Sequence, residues 1–224
     1  MKTGKLVIVG DGEFAEIAYE YFTQDSSYEV VGFAVEHAYL NRTQLFELPI
    51  VAFEDIESVF PPGKHDVFVA ITYTQLNRVR ARLFQSARNK GYTLARYVSS
   101  HAFVWRNVTL GENVFIFENN VIQYHVSIGD NVILWSGNHI GHRSVIEPHC
   151  YLASHVVVSG YCRIGEYSFL GVNATLADRV TIGRDGLIGA GAVILRDTEP
   201  AMIYRAASAV PAKVTSLRCY GVKE

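Results

Sequence analysis

The sequence has little cysteine: three residues, Cys150, Cys162 and Cys219, in a chain of 224, with no CxxC pair among them. That excludes a disulfide framework and leaves no zinc-ribbon or dithiol redox signature. Long apolar runs are missing too. The one run near the start, Leu6 to Val9, is too brief for a signal-peptide core and far too brief to span a bilayer, so a cytoplasmic location without membrane insertion is expected. Nor is there a cluster of Lys and Arg in either half, and the formal charge is -2, which argues against a nucleic-acid partner. With 49% hydrophobic and 19% charged residues, the composition is that of a folded protein long enough for one large domain or two modest ones.

What the sequence does have is a period. Every sixth residue from Val98 to Ile194 is Leu, Ile or Val, and four places after each stands a mostly small or slim residue such as Val114, Asn120, Cys150, Ser168 or Ala174. A period of six drifts around an α-helix and is too long for a single alternating strand. It suits a chain that makes a short strand and a tight turn every six residues, three such units closing a triangular coil of 18 residues. Stacked coils then pair their strands at about 4.8 Å in continuous parallel ladders. The fold expected from about Val98 to Thr198 is therefore a left-handed parallel β-helix of hexapeptide repeats. Cys150 and Cys162 fall on the small inward position and are read as core residues, not nucleophiles.

The first 95 or so residues lack this period. Strands at Leu6 to Val9, Glu29 to Val35 and Val67 to Ile71 alternate with helical stretches ending at Phe22, near Glu54 to Val59, and from Gln75 to Asn89. This βαβαβα order implies a small parallel Rossmann-like sheet with covering helices. The organisation expected is an α/β domain over 1–95, the coil over 96–200 and a tail over 201–224. Between the first strand and helix lies Gly10-Asp11-Gly12-Glu13-Phe14-Ala15. Such a loop places backbone N–H groups and a helix N-terminus where Gly10 and Gly12 leave room for an anionic group, although any α/β domain can use the same tight turn. The span is too short for a full dinucleotide-binding domain, so it is not read as an NAD site.

The residues that carry chemistry concentrate in the coil. His125, His139, His142, His149 and His155 fall within two turns of it, and a structural β-helix needs none of them. By the 18-residue ruler, His142 lies directly against Gly160. An imidazole of ordinary pKa, about 6.5, accepts a proton from an amine or hydroxyl near neutral pH. Gly160 offers a backbone N–H with no side chain in front of it, suited to a developing oxyanion. The pair points to acyl transfer, with His142 as base. His125 and His149 are expected at the surface or at a subunit interface, while His139 and His155 border the proposed groove.

Asn138-His139-Ile140-Gly141-His142, the later Ser154-His155-Val156-Val157-Val158-Ser159-Gly160 and the leading GxGxxA domain together resemble the bacterial hexapeptide-repeat sugar acyltransferases. That family includes nucleotide-amino-sugar N-acetyltransferases of the bacillosamine and perosamine type and a sialic acid O-acetyltransferase-like group. The resemblance spans nearly the whole chain in the same domain order. It implies a homotrimer, acetyl-CoA or another acyl-CoA lying in the groove between neighbouring coils, no metal, and a nucleotide-linked sugar on the N-terminal domain. It implies His142 as general base and Gly160 at the thioester carbonyl, with Gly160, Gly189, Gly191 and Lys213 beside the coenzyme. It implies Gly10, Gly12, Glu36, Asn77, Arg80, His139, His155 and Arg143 on the sugar-nucleotide side. Two departures stand out. Where many relatives place an acidic residue after the base, this chain has Arg143, which either disfavours protonation of the imidazole or reaches a phosphate. Of the Gly-Asn-Pro-Ala-Lys run common near the end of relatives, only Pro211-Ala212-Lys213 remains.

The leading expectation is N-acetylation of an amino-deoxy sugar carried on a nucleotide, and the alternative within the class is O-acetylation of a sugar hydroxyl. Two further classes use the same coil: a zinc enzyme of the γ-carbonic anhydrase kind, with three histidines meeting between subunits, and an inert assembly scaffold.

Overall fold

Leu6 to Val9 forms the buried centre of the first strand in the computed structural model, which describes residues 2–222. Strand β1 (Gly4–Val9), helix α1 (Glu13–Gln24) and strand β2 (Tyr28–Val35) build the first βαβ unit. The chain then makes a hairpin that the alternation of elements did not predict, β3 (Gln44–Leu45) and β4 (Leu48–Ala52), turning through Phe46 and Glu47 at φ 50° and 63°. Helix α2 (Ile56–Val59), strand β5 (Asp66–Val69) and helix α3 (Arg78–Asn89) complete the layer. The sheet order is β3-β4-β2-β1-β5, parallel throughout except for the β3 edge. The expectation of an all-parallel sheet is corrected at that edge. Helix α3 also starts later than its sequence suggests, because Gln75, Leu76 and Asn77 adopt φ of 50°, 49° and 67° and cannot begin a right-handed helix.

From Tyr97 onward the chain winds as the left-handed parallel β-helix. Its two-residue strands fall on three faces and pair at a separation of 18 residues, for example Val121 with His139 and His139 with Val157. Face A runs from Tyr97–Val98 to Leu187–Ile188, face B from Phe103–Val104 to Val193–Ile194, and face C from Thr109–Leu110 to Thr181–Ile182. After a loop over 195–202, Ile203–Tyr204 adds one more rung to face A, beyond the point where the hexad ends. The aliphatic position fills the prism, with Ile122, Ile140, Val158 and Leu176 all fully buried. Cys150 and Cys162 are buried as expected, and their thiols donate to the carbonyls of Gly165 and Ala177 at 3.2 and 3.1 Å. Burial pushes the Cys150 thiol up to about 12, so it is no nucleophile.

The two layers share a core. Phe115, Ile133 and Tyr151, which point outward from face A, pack against Phe14, Phe22 and Phe68 of the α/β layer. Ring centroids lie 5.5 Å apart for Phe14 and Phe115 and 5.3 Å for Phe68 and Phe115, in edge or tilted arrangements worth about 0.5–1.5 kcal/mol each beyond burial. Strand β5 would leave a sheet edge open; residues 93–95 pair with it at Val67, and the corner of the coil between faces C and A covers it at Val69. The Val69 N–H donates to Asn113 Oδ1 at 2.7 Å, Asn113 Nδ2 to Asn131 Oδ1 at 2.9 Å, and Asn131 Nδ2 meets His149 Nδ1 at 2.9 Å. His149 in turn stacks on Tyr167 with centroids 4.8 Å apart. One polar column thus joins successive coils to the α/β sheet.

Candidate active site

Residue 142 lies on the corner between faces B and C, where the chain leaves the strand His139–Ile140. Its backbone N–H donates to Gln123 Oε1 at 3.0 Å, and its carbonyl accepts from the Tyr161 N–H at 2.9 Å. These bonds hold the backbone and leave the exposed imidazole to lie across Gly160. A Cβ on Gly160 would stand 2.6 Å from Cε1 and 2.8 Å from Nε2 of the ring, so only glycine permits this approach. Tyr161 meets the imidazole edge-on at 5.1 Å. Among the described residues, the buried Gly160 N–H donates to no protein acceptor. An accessible imidazole above an unpartnered N–H is the arrangement needed to take a proton at one atom and stabilise negative charge at the next.

Arg143, at φ 58°, turns toward the preceding coil, where its guanidinium stands 5.5 Å from the Tyr124 ring centroid. Arg179 stacks similarly over Tyr161 at 4.5 Å. No acidic side chain of this chain hydrogen-bonds the His142 ring among the described residues.

The second constituent is a cavity of about 760 Å³ in the α/β layer, at the carboxyl ends of β1, β2 and β5. Gly10, Gly12, Glu36, Thr72, Thr74, Arg82 and, from the coil, Trp135 line it. Gly10 sits at φ 123°, and a Cβ there would strike the Ala70 carbonyl at 2.8 Å. Arg82 binds both oxygens of Glu36 at 2.7 and 2.9 Å and holds that carboxyl below the usual range. This is the crevice in which open α/β sheets receive ligands.

Trp135 belongs to the corner between faces A and B, and so do His155, Gly189 and Gly191. The His155 ring covers Gly137, where a Cβ would fall 2.5 Å from the ring. In a triangular prism, the corner bearing His142 and Gly160 is opposite face A, against which the α/β layer packs. One chain therefore does not bring its cavity to its own His142. It also leaves Gly189 and Gly191 on a different corner from Gly160, with Lys213 in the exposed tail, so the coenzyme set is not assembled within a single chain. His139 points outward from face B between the two corners, flanked by Val121 and Val157.

Two of the substrate residues read from the sequence are corrected. Asn77 and Arg80 are fully buried between the layers: Asn77 Nδ2 donates to the Tyr167 carbonyl at 3.1 Å, and Arg80 spends its donors on backbone carbonyls. Neither side chain is exposed to the cavity or to solvent. His149 is corrected likewise, since it lies in the seam with its own α/β layer and packs against Phe84. Burial, with the nearby Arg80 charge, lowers its pKa to about 4. In that seam the unfolded chain binds a proton that the folded chain refuses. The stability His149 contributes is thus complete above about 6.5 and is lost as the pH falls through about 4. Denaturant midpoints measured across this window are expected to fall with acidification, and His149→Gln to flatten that dependence; an unaltered slope would contradict it.

The model of the family described as bacterial transferase hexapeptide (six repeats) matches residues 107–142, 125–160 and 161–196. PerB from Caulobacter crescentus, solved with CoA and GDP-perosamine, is 29% identical and superposes over 89% of this chain and 93% of that one at a TM-score of 0.80, and a mutant of perosamine N-acetyltransferase from the same organism matches at 29% identity, 89% and 92% coverage and a TM-score of 0.80. Residues 107–196 carry the repeats of that transferase family, and nearly the whole chain is similar in fold to the Caulobacter enzyme. The fold is shared further with the acetyltransferase domain of PglB from Neisseria gonorrhoeae FA1090, at 23% identity, coverage of 90% and 96%, and a TM-score of 0.80. WeeI from Acinetobacter baumannii AYE has the same fold at 18% identity, coverage of 90% and 96%, and a TM-score of 0.75. Among the described residues, no helix is long and apolar enough to cross a membrane, and no group of three or more His, Cys, Asp or Glu is placed to hold a metal.

Proposed function

We propose that the protein transfers the acetyl group of acetyl-CoA to the amino group of a nucleotide-linked amino-deoxy sugar, with His142 as general base. The observation that carries this reading is the imidazole of His142 lying across Gly160, whose N–H is unpartnered. The sugar amine attacks the thioester carbonyl, a C–N bond forms, and the amine proton passes to His142. The Gly160 N–H stabilises the oxyanion until the C–S bond breaks, and the proton then returns to the departing thiolate. No covalent enzyme intermediate is required. The 29% identical Caulobacter enzyme, solved with CoA and GDP-perosamine, supports the choice of donor and acceptor class.

The nucleotide sugar is assigned to the α/β cavity, at Gly10, Gly12 and Glu36. Because that cavity and His142 lie on opposite sides of one coil, the active site is assigned to a homotrimer, in which one subunit's cavity and A/B corner meet its neighbour's B/C corner. Face B supports this assembly: between the two corners it presents Phe103, Val121, Val157 and Val193, exposed by 37% to 62%. An uncovered apolar face of this kind calls for a partner. The same packing brings His139, His155, Gly189 and Gly191 of one copy toward Gly160 and Arg143 of the next, and Lys213 of the tail is assigned to the coenzyme.

The test incubates the protein with acetyl-CoA and a panel of GDP- and UDP-linked amino sugars and follows free thiol. Release with an amino sugar is expected. Release only with a hydroxyl acceptor would transfer the assignment to O-acetylation, and release with no sugar nucleotide would overturn it.

A further inference from the structure

Arg80 is wholly buried, yet no carboxylate pairs with it among the described residues. Its guanidinium bonds only to carbonyls. On one side Nη2 donates to Asn131, Cys150 and His149 of the coil at 3.2, 3.2 and 3.4 Å, with Nε also on Asn131. On the other, Nη1 donates to the carbonyls of Thr72 at 2.6 Å and Ile71 at 3.3 Å, in the loop between β5 and α3 that lines the cavity. Burial lowers its pKa to about 10, which leaves it charged at neutral pH.

The loop is held in place from the coil side. Tyr73 packs on Tyr151 and Phe169 at 5.1 and 4.9 Å, Asn77 is tied to the Tyr167 carbonyl, and the left-handed run Gln75-Leu76-Asn77 is kept in a conformation that free L residues avoid. In a trans peptide the N–H points away from the C=O. With the Ile71 and Thr72 carbonyls turned to Arg80, the N–H groups of Thr72 and Tyr73 point away from it; Thr72 and its neighbours Ile71 and Thr74 line the cavity, and neither N–H donates to any protein acceptor among the described residues. The other candidate for an anion, the start of α1, carries Asp11, Glu13 and Glu16 against one cation, Arg42, which pairs with Asp11 and Glu16 and leaves the balance negative. Those carboxylates disfavour an added anion there.

We propose that Arg80 is a positioning residue that turns the Thr72 and Tyr73 N–H groups into the cradle for the substrate's diphosphate, with its own unneutralised charge behind them. The proposal rests on the cavity being the nucleotide-sugar site. It departs from the sequence expectation on both counts, since Arg80 touches no ligand and the glycine loop does not hold the phosphates.

Calorimetric titration of the wild-type protein with GDP, UDP, guanosine and uridine provides the test. The nucleotide that binds is expected to exceed its nucleoside in affinity by about tenfold or more, the size expected of hydrogen bonds to a charged group. Arg80→Met is expected to abolish that increment while nucleoside affinity stays within about twofold. Equal losses for nucleotide and nucleoside would show a merely structural role and overturn the proposal. A second measurement needs no variant: in wild-type protein labelled with 15N-threonine and 15N-tyrosine, the Thr72 and Tyr73 amide resonances are expected to move with the diphosphate and not with the nucleoside. Nucleotide binding without those shifts overturns the cradle and leaves the nucleotide site standing. Binding of neither GDP nor UDP overturns both.

Discussion

Replacing His142 with alanine is expected to lower kcat by about 100- to 10,000-fold, the range associated with loss of a positioned general base. The fold should survive, because the side chain is exposed and the contacts that shape this corner are made by the backbone, to Gln123 and Tyr161. The thermal midpoint of His142→Ala should therefore match that of the wild type, and the KM for acetyl-CoA should move little, since the Gly160 N–H remains. That combination separates loss of proton transfer from loss of binding. An inert scaffold would show no change at all, and near-normal turnover by a correctly folded variant would remove His142 from the mechanism.

The coil and the His142–Gly160 pairing were legible in the sequence because both follow from one number. A hexad that never breaks its aliphatic position gives an 18-residue coil, and 160 minus 142 is 18, so the contact is a matter of counting. The α/β layer has no such ruler. The β3–β4 hairpin is hidden because its strands are short, Pro49 interrupts the apolar pattern, and the turn uses Phe46 and Glu47 where glycine or asparagine would have signalled it. Arg80 was expected on the substrate side only because the family resemblance carries it there, in the helix after the third strand. Nothing in the sequence gives the rotation of α3 against the coil, and it is that rotation which buries Arg80 among five carbonyls. The signal that could have found it is the coil itself: Asn113, Asn131 and His149 recur every 18 residues on the corner facing β5, a polar column that marks a covered seam. The separation of the cavity from His142 was hidden for a related reason. The hexad orders the faces along the chain but does not say which of them the first domain covers.

That placement yields the second large effect. Two variants, each inactive alone, are expected to restore activity when they share an oligomer. His142→Ala keeps the cavity and lacks the base. Gly12→Phe keeps the base and fills the cavity: nothing lies within 4 Å of a Cβ at Gly12, so the ring enters the crevice without disturbing the chain. If every active site takes its cavity from one subunit and its base from the next, a site in a mixed assembly works when the cavity comes from the first variant and the base from the second. Random assortment of equal amounts makes that about one site in four, so co-expressed or co-refolded variants should reach about a quarter of wild-type turnover per chain. Sites contained within single chains would give none, because each chain then carries a defect in its own site. The recovered fraction should also rise and fall with the mixing ratio, peaking at equal amounts, a dependence that contamination by either parent cannot produce.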